Sequence, residues 1–527
     1  MNIALILILS VAFFLRIYNI SFPSFTADEA RIAYRGYTLT TNGTDELGRK
    51  FPLIFNSLSD YQLPITSYAT AIGIKVFGKS DFGARLPFIL IGTLSVLLVY
   101  LTAAVFNPLH KFRLFAALVA AFSPVLIFLS RTPNETILLI FFLLLLIFIL
   151  TREKLNLLLI VLIFILLLLT SKIAWFILLP FTAFTLLFLK KDFSKKSKLA
   201  VAISILLTIL TVFLFLKIPQ AQRSLSENNF PIFSDITIKN GIDRLRGQGI
   251  QSGWPPLLER MLFNKLAYIY VGFLHWLSHL QPVAFFSQFD PTGKLGLVSM
   301  GAWSKILIIP IGIAIISTIR RVNVKSILLL GFLVILTFPL IFIYPLKFPN
   351  ITALVLPFMA IFIATGLVVF KKYISYLILA FMILEVLVNF IFIESEIKNT
   401  NLLRHKWIED IVEDAYILSK NGEVALSDDI ADDASPFIGW YTPASLVQMS
   451  VTDFPYKVRL NQLPNIKLIG FDNNFRSCGP DEDLVLILSN RDLNEVRQVF
   501  NVSIEKTYQD SLDQVKAYKL SSRVCIQ

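Results

Sequence analysis

Two acids stand side by side just after an apolar run, Asp28 and Glu29 in Phe25-Thr26-Ala27-Asp28-Glu29-Ala30-Arg31. A carboxylate near a membrane surface can take the proton from an attacking hydroxyl, which is general-base work. Arg31 and Arg35 share a helical face with Asp28 through steps of three and four residues. Thr26-x-x-Glu29 also fits a capping box, in which Glu29 only ties down a helix start. Asp28 is not needed for that box. A third acid, Glu135, follows Ser130-Arg131-Thr132-Pro133-Asn134, and its structural alternative is again helix capping.

Cations stand at the ends of apolar runs: Arg85, Arg131, Lys172 and Lys347. Arginine suits phosphate through paired hydrogen bonds, and the same side chains can snorkel to lipid headgroups. Asp60-Tyr61-Gln62 would line a pocket or form a loop turn. His275 and His279 have a spacing that zinc sites use, but no third ligand is apparent, so an interfacial aromatic belt with Trp276 is the preferred reading. Glu385 lies inside an apolar run, where an acid is a functional hypothesis by default, and no partner for it is visible. Trp440-Tyr441 would bind sugar or fill a core.

The elements that must position these residues are membrane helices. Of 527 residues, 55% are hydrophobic and 16% charged, against about 25% charged in a soluble protein. The net charge of +12 is not a nucleic-acid signature, because the basic residues lie in short clusters between apolar runs. Ile3 to Leu15 has no basic start and no small-residue cleavage site before Arg16, so it reads as a retained span rather than a signal peptide. A span needs roughly 20 apolar residues. Eleven are expected, near 3–20, 86–106, 112–130, 135–151, 155–171, 174–189, 199–216, 302–319, 326–344, 351–370 and 373–393.

Alternate loops carry Lys111, Arg152, Lys154, Lys190, Lys191, Lys195, Lys196, Lys198, Arg320, Arg321, Lys325, Lys371 and Lys372. That is thirteen basic residues against two acids, Glu153 and Asp192. Basic loops stay in the cytoplasm, so the N-terminus is expected inside and the C-terminus outside. The outer face would then hold long loops at about 21–85 and 217–301, a short turn at 131–134, and everything after about 395. Residues 62–80 read as an amphipathic helix in the interface. Beyond 395 acids and asparagines appear. Strand-like runs at Glu423–Leu426, Lys467–Phe471 and Leu484–Leu488 alternate with helical stretches at Arg404–Lys420 and Asp492–Phe500. About 130 residues can bury their own core, so a small α/β domain is expected. Cys478 and Cys525, the two cysteines, both fall on the oxidising side, where a disulfide can form.

These motifs together resemble a family. Asp28-Glu29-Ala30 with Arg31, then Gly48-Arg49-Lys50-Phe51-Pro52, Asp60-Tyr61-Gln62-Leu63-Pro64, and Phe77-Gly78-Lys79-Ser80-Asp81-Phe82-Gly83-Ala84-Arg85-Leu86-Pro87 look like GT-C-fold glycosyltransferases. The nearest branch is the bacterial relatives of protein O-mannosyltransferases and aminoarabinose transferases. Ser130 to Glu135 matches the family's second acidic site. Asn264-Lys265, His275 to Leu280 and Gln288-Phe289-Asp290 resemble its long loop before the eighth span. Phe348-Pro349-Asn350 to Leu356-Pro357 resembles a late span that begins with an arginine in many members. Here no arginine stands there, and Lys347 is the nearby cation. The resemblance covers about residues 1–370.

The resemblance implies a GT-C-like transmembrane catalytic domain, taken as 1–394, and the composition change sets an extracytoplasmic α/β domain at 395–527. It implies transfer of a sugar from a polyprenyl-phosphate or -diphosphate carrier to a hydroxyl of an extracytoplasmic glycan, lipid or protein, in the cytoplasmic membrane. Asp28, Glu29 and Glu135 would be catalytic, with Asp28 as base and inversion at the sugar. Arg85, Arg131, Lys172 and Lys347 would hold the carrier phosphate. Arg31, Arg35, Asp60, Tyr61, Gln62 and Asp290 would line the pocket. Some GT-C enzymes need a divalent cation and others do not; no clear metal triad stands in the sequence. A transporter or flippase of lipid-linked glycans is the competing class. It calls for ionisable groups at mid-membrane on broken helices, and Glu385 is the one deep acid.

Overall fold

The computed structural model describes residues 3–20, 24–45, 48–55, 62–152, 155–189, 195–217, 231–263, 265–289, 300–320, 324–342, 349–400, 406–427, 430, 435–442, 449–451, 458–460, 466–469, 475–477, 484–509, 515–520 and 524–526. The chain divides into two compact units. One is Met1–Tyr18 with Phe88–Phe390; the other is Asn19–Pro87 with Ile391–Gln527.

In chain order the first ten helices are α1 (Ile3–Ile17), α2 (Ala27–Asn42), α3 (Pro64–Phe77), α4 (Asp81–Phe106), α5 (His110–Ala121), α6 (Pro124–Ser130), α7 (Glu135–Leu150), α8 (Leu157–Thr170), α9 (Ile173–Leu189) and α10 (Lys195–Leu216). The division between units falls within α4. All eleven apolar segments read from the sequence are helical. The last four are Lys305–Leu307 with Ile308–Arg320, Val324–Thr337 with Phe338–Ile341, Pro349–Ala353 with Leu356–Val369, and Lys372–Thr400.

Length limits what each helix can do. Among the described residues three are long and apolar enough to cross a bilayer alone, Asp81–Phe106, Val324–Ile341 and Lys372–Phe392. The pair α5–α6 makes a fourth if taken as one span, bent by 63°. Six others are apolar but only 10–17 residues long, short of the roughly 20 residues that span hydrocarbon untilted. The chain is thus a helical membrane protein, while the count of eleven crossings and their direction stay expectations.

The α5–α6 bend has a local cause. Pro124 cannot donate a backbone hydrogen bond and its ring clashes with a preceding helical turn. Ser123 caps the new helix by accepting from the Leu126 amide at 3.5 Å, and its hydroxyl donates to the Ala302 carbonyl at 3.0 Å. Close packing between helices uses missing side chains, as in other membrane bundles. A Cβ on Gly366 would lie 1.9 Å from the Pro310 carbonyl oxygen. Arg16 on α1 is fully buried. Its guanidinium donates to the Ser130 hydroxyl at 3.2 Å and to the Ala12 carbonyl at 2.9 Å.

Glu385 also finds partners. It accepts from the Ser304 hydroxyl and, at 3.1 Å, from the Lys305 amide. It therefore caps the start of the helix that begins at Lys305, where unsatisfied amides favour an acid.

The second unit combines the first long loop with the C-terminal segment. α2 and α3 cross closely: a Cβ on Gly36 would meet the Thr70 methyl at 2.8 Å, and the Thr40 hydroxyl donates to the Ala71 carbonyl at 3.0 Å. Strands β1 (Glu423–Ser427), β2 (Met449–Val451), β3 (Val458–Leu460), β4 (Ile466–Ile469), β5 (Phe475–Ser477), β6 (Leu484–Ser489), β7 (Ile504–Gln509), β8 (Val515–Leu520) and β9 (Val524–Ile526) follow. A five-stranded sheet runs β4-β1-β6-β8-β7, with β1 parallel to β4 and β6 and the β6-β8-β7 side antiparallel. Central β1 is buried on both faces, as parallel strands are. Val424 and Leu426 enter one core, and Ala425 enters another with Leu486 and Leu488. Helices Lys406–Leu418 and Asn490–Val499 and strands β1, β4 and β6 all fall where the sequence pattern put them.

The first of these cores departs from the expected boundary near 395. It joins Phe25, Ala30, Ala33, Ile74 and Ala84 of the first loop to Trp407, Ile408, Ile411, Phe437 and Trp440 of the C-terminal segment. The segment after 395 thus shares one core with residues before 88 and closes a second on itself. Its strand pattern was legible, but not where its apolar helix faces would be buried. Cys478 lies outside the described residues.

Candidate active site

The acid pair opens α2. Thr26 is the N-cap, in extended backbone, and its hydroxyl oxygen accepts from the Glu29 amide at 3.2 Å. This is half of the expected capping box. The Glu29 carboxylate then turns inward. It is 4% exposed and accepts from Arg85 Nη2 at 2.7 Å, with the Arg85 side chain 1% exposed. Arg85 also donates to the Ile20 carbonyl and lies 4.5 Å over the Phe25 ring. Arg85 is thus a buried partner of Glu29. Asp28 behaves oppositely. Its side chain is 79% exposed and meets Arg31 at 2.8 Å. Two neighbouring acids of the same helical turn therefore have separate roles, one facing solvent and one locked.

The glycine-rich motif before Arg85 builds the corner that delivers it. Gly78 ends α3 at φ +79°, a conformation that favours glycine. The Ser80 hydroxyl accepts from the Gly83 amide at 3.0 Å. A Cβ on Gly83 would come within 2.4 Å of the Gly78 carbonyl. Phe77 and Phe82 meet edge to face at 5.2 Å. Lys79, inside this corner, donates to the carbonyls of Gly439 at 3.1 Å and Thr442 at 2.8 Å. Burial pushes its pKa down to about 8.

The pocket residues are partly gathered. Arg35 is fully buried, donates to Gln62 Oε1 at 2.8 Å and lies 5.3 Å over Phe55. Gln62 also accepts from Ser67 at 3.3 Å. Asp60, Tyr61, Asp290 and Lys347 lie outside the described residues.

In the other unit, Glu135 opens α7. Asn134 caps that helix by accepting from the Ile137 amide at 3.1 Å. The cap is itself braced, its amide donating to the Leu129 carbonyl at 2.6 Å and to Thr132 Oγ1 at 2.8 Å. Glu135 accepts from the Ser171 hydroxyl at 3.0 Å, and Lys172 follows directly, half-buried. Arg131 is 5% exposed, with its guanidinium 5.6 Å from the Phe128 ring and 5.7 Å from Phe390. His275 and His279 meet edge to face at 4.8 Å; Thr352 hydrogen-bonds His279 at 3.3 Å, and the Trp276 indole donates to Thr337 at 2.8 Å. Among the described residues no three His, Cys, Asp or Glu side chains gather where a metal ion could sit.

Sequence reasoning passed over Lys79 as chemistry, although it stands in the quoted motif. Its partners lie some 360 residues away, and nothing local announces them.

Comparison with known proteins bears on the whole chain. A family model described as dolichyl-phosphate-mannose-protein mannosyltransferase matches residues 62–215. The structure resembles ArnT from Cupriavidus metallidurans bound to undecaprenyl phosphate, with TM-score 0.55 at 11% identity, covering 98% of this chain and 97% of that one. It is also similar to the archaeal oligosaccharyltransferase AglB from Archaeoglobus fulgidus, in complex with an inhibitory peptide and a dolichol-phosphate. That likeness has TM-score 0.47 at 14% identity and covers 86% of this chain and 61% of that one. No curated protein sequence matches the chain. The chain is a GT-C-fold membrane protein, as its motifs indicated.

Proposed function

We propose that the protein is a membrane glycosyltransferase that moves a sugar from a polyprenyl-phosphate or -diphosphate carrier to an extracytoplasmic hydroxyl, with inversion and with Asp28 as base. The fold and the family match over residues 62–215 support a lipid-linked-donor glycosyltransferase. The observation that carries the choice of base is the contrast at the start of α2, where the Asp28 carboxylate is exposed and that of Glu29 is paired with Arg85.

The acceptor oxygen attacks C1 of the sugar, and its proton passes to Asp28. The bond from C1 to the phosphate oxygen breaks, and its electron pair leaves on the phosphate. Positive charge on the sugar ring makes late proton loss tolerable. The departing phosphate gains negative charge, which cations stabilise. Arg85, Arg131, Lys172 and Lys347 are proposed for that role on sequence grounds. The distribution of basic loops supports an extracytoplasmic site, with the N-terminus inside.

The transporter reading loses its one deep acid, because Glu385 serves to cap a helix.

The test is sugar transfer by purified protein from radiolabelled polyprenyl-phosphate mannose, alongside mass spectrometry of cell-envelope glycans with and without the gene. Losing a general base typically costs 10²–10⁴-fold. Asp28→Asn is expected to fold, to retain carrier-lipid binding and to lose turnover in that range. Near-normal turnover in Asp28→Asn overturns the assignment of the base. Unchanged envelope glycans on loss of the gene overturn the activity.

A further inference from the structure

Arg16 stands near the end of the first apolar run, and the proposed reaction makes no use of it. In the fold it is 1% exposed on α1. An ionised side chain inside a helical bundle is costly unless paired, and by default it marks a functional role. Among the described residues Arg16 forms no ion pair; its partners are three neutral oxygens. Its Nη1 donates to the Ala12 carbonyl at 2.9 Å and reaches the Ala121 carbonyl at 3.5 Å, and its Nε donates to the Ser130 hydroxyl at 3.2 Å. Ala121 is the last residue of α5 and Ser130 the last of α6. Helix C-termini present unsatisfied carbonyls and partial negative charge, so the cation stands against two of them. Gly92 of α4 leaves the room: a Cβ there would lie 2.1 Å from the Ser130 hydroxyl oxygen and 3.3 Å from Arg16 Nε. An apolar side chain of similar length would fill this space without burying a charge. It could not aim fixed donors at two helix ends at once, as a planar guanidinium does.

From Ser130 the hydrogen bonds run on into the turn before α7. The Ser130 hydroxyl donates to the Leu126 carbonyl at 2.5 Å, and the Arg131 amide closes on the Phe128 carbonyl at 3.0 Å. The Asn134 amide group holds the Leu129 carbonyl at 2.6 Å, while its oxygen caps α7 at the Ile137 amide. The chain bends by 63° just before α6, and α6 is only seven residues long. Its direction is therefore set by what its ends are tied to.

We infer that Arg16 is a positioning residue: by tying the end of α5 to the end of α6 across the 63° break, it sets the turn 131–135 that carries Arg131 and Glu135. That those two residues act in sugar transfer rests on the function proposed above; the tie itself does not. A shift of about 1 Å in a group that binds or reacts can cost 10²-fold in rate.

The tie can be read without turnover. The full chain in phosphatidylethanolamine/phosphatidylglycerol nanodiscs is followed by amide hydrogen exchange, with fragmentation that resolves the Arg131 and Ile137 amides. Arg16→Met removes the guanidinium, and Ser130→Ala removes the oxygen that it holds on α6. Each is expected to speed exchange at both amides at least about threefold, the effect of about one hydrogen bond. The Ile160 amide of α8 is expected to keep its wild-type rate, which general loosening of the bundle would not allow. The double variant is expected to exchange no faster than the faster single, because both changes break one link. If Arg16→Met fails to fold, Ser130→Ala still decides the matter. Unchanged exchange at both amides in folded Arg16→Met or folded Ser130→Ala overturns the inference. So does an equal rise at Ile160, or additive acceleration in the double variant.

The consequence for transfer is read in cells lacking the gene, by mass spectrometry of the envelope glycans restored by each variant per amount of protein in the membrane. Arg16→Met is expected to restore at least about tenfold less product than wild type. Full restoration together with faster exchange would overturn the catalytic part and keep the tie. Envelope glycans indifferent to the gene would overturn the proposed function and leave the exchange result standing. Glycans that depend on the gene, with exchange unchanged in Arg16→Met, would remove the positioning role alone.

Discussion

The starts of α2 and α7 are built from the same sequence parts and finished differently. Each has a polar N-cap in extended backbone, Thr26 or Asn134, whose side chain accepts from an amide three residues on. Each places a glutamate in the first turn, where the helix dipole favours it. Glu29 then meets a buried arginine, and both charges leave solvent. Glu135 meets a neutral hydroxyl, that of Ser171, and stays half-buried. The first arrangement needs both members, because either charge left alone inside is expensive. Removal of Ser171 takes one hydrogen-bond donor from Glu135. The same local signal therefore precedes a buried ion pair in one unit and a hydroxyl contact in the other.

The largest effect expected from this contrast is at the lock. Glu29→Gln should lower stability by about 3–5 kcal/mol, the usual cost of stranding one member of a buried pair. A capping role alone would cost only about 0.5–2 kcal/mol. Arg85→Met should cost a similar amount, and the double variant should lose much less than the two singles combined. Denaturation in detergent, followed by intrinsic fluorescence, measures all three. Additive losses would mean that the pair is not the source of the effect.

How much of this was legible in the sequence follows from the range of each interaction. Apolar runs, N-caps and the alternating C-terminal strands are local signals, and the helices and central strands appear where those signals stood. The capping box at Thr26 was half legible: the cap is there, but the glutamate carboxylate is taken by Arg85, 56 residues away. Glu385 had no visible partner because Ser304 and Lys305 lie about 80 residues before it. The Trp440–Tyr441 pair could be read as sugar platform or core. Trp440 proves to be 5% exposed in the core shared with the first loop. Such pairings depend on which helix faces meet, and no periodicity records that. The motif around Arg85 was recognised as a unit before its parts could be explained. Its glycines, serine and aromatics make one tight corner, whose product is the placement of one guanidinium.

A smaller effect is expected at α7. Ser171→Ala removes a hydroxyl that donates to Glu135 and leaves that half-buried acid in place. The loss should be about 1 kcal/mol, typical of one hydrogen bond, measured in the same detergent denaturation. A loss as large as that of Glu29→Gln would erase the distinction between the two helix starts.

The last effect is a pH dependence at the corner before Arg85. Burial lowers the Lys79 pKa to about 8 from an ordinary value of 10.5. Between those values the unfolded chain carries a proton on Lys79 that the folded chain has released. Stability rises with pH wherever the unfolded state binds more protons. This contribution should therefore grow as pH rises through about 8 and level off near 10.5, because the cost of burying an ammonium falls away. The neutral amine can still donate to the carbonyls of Gly439 and Thr442. Lys79→Met abolishes the titration, so the stability difference between wild type and Lys79→Met should move in favour of wild type across that window. A stability difference between wild type and Lys79→Met that stays flat from pH 7.5 to 10.5 would mean that Lys79 keeps its ordinary pKa, and that the corner before Arg85 is wetter than its packing implies.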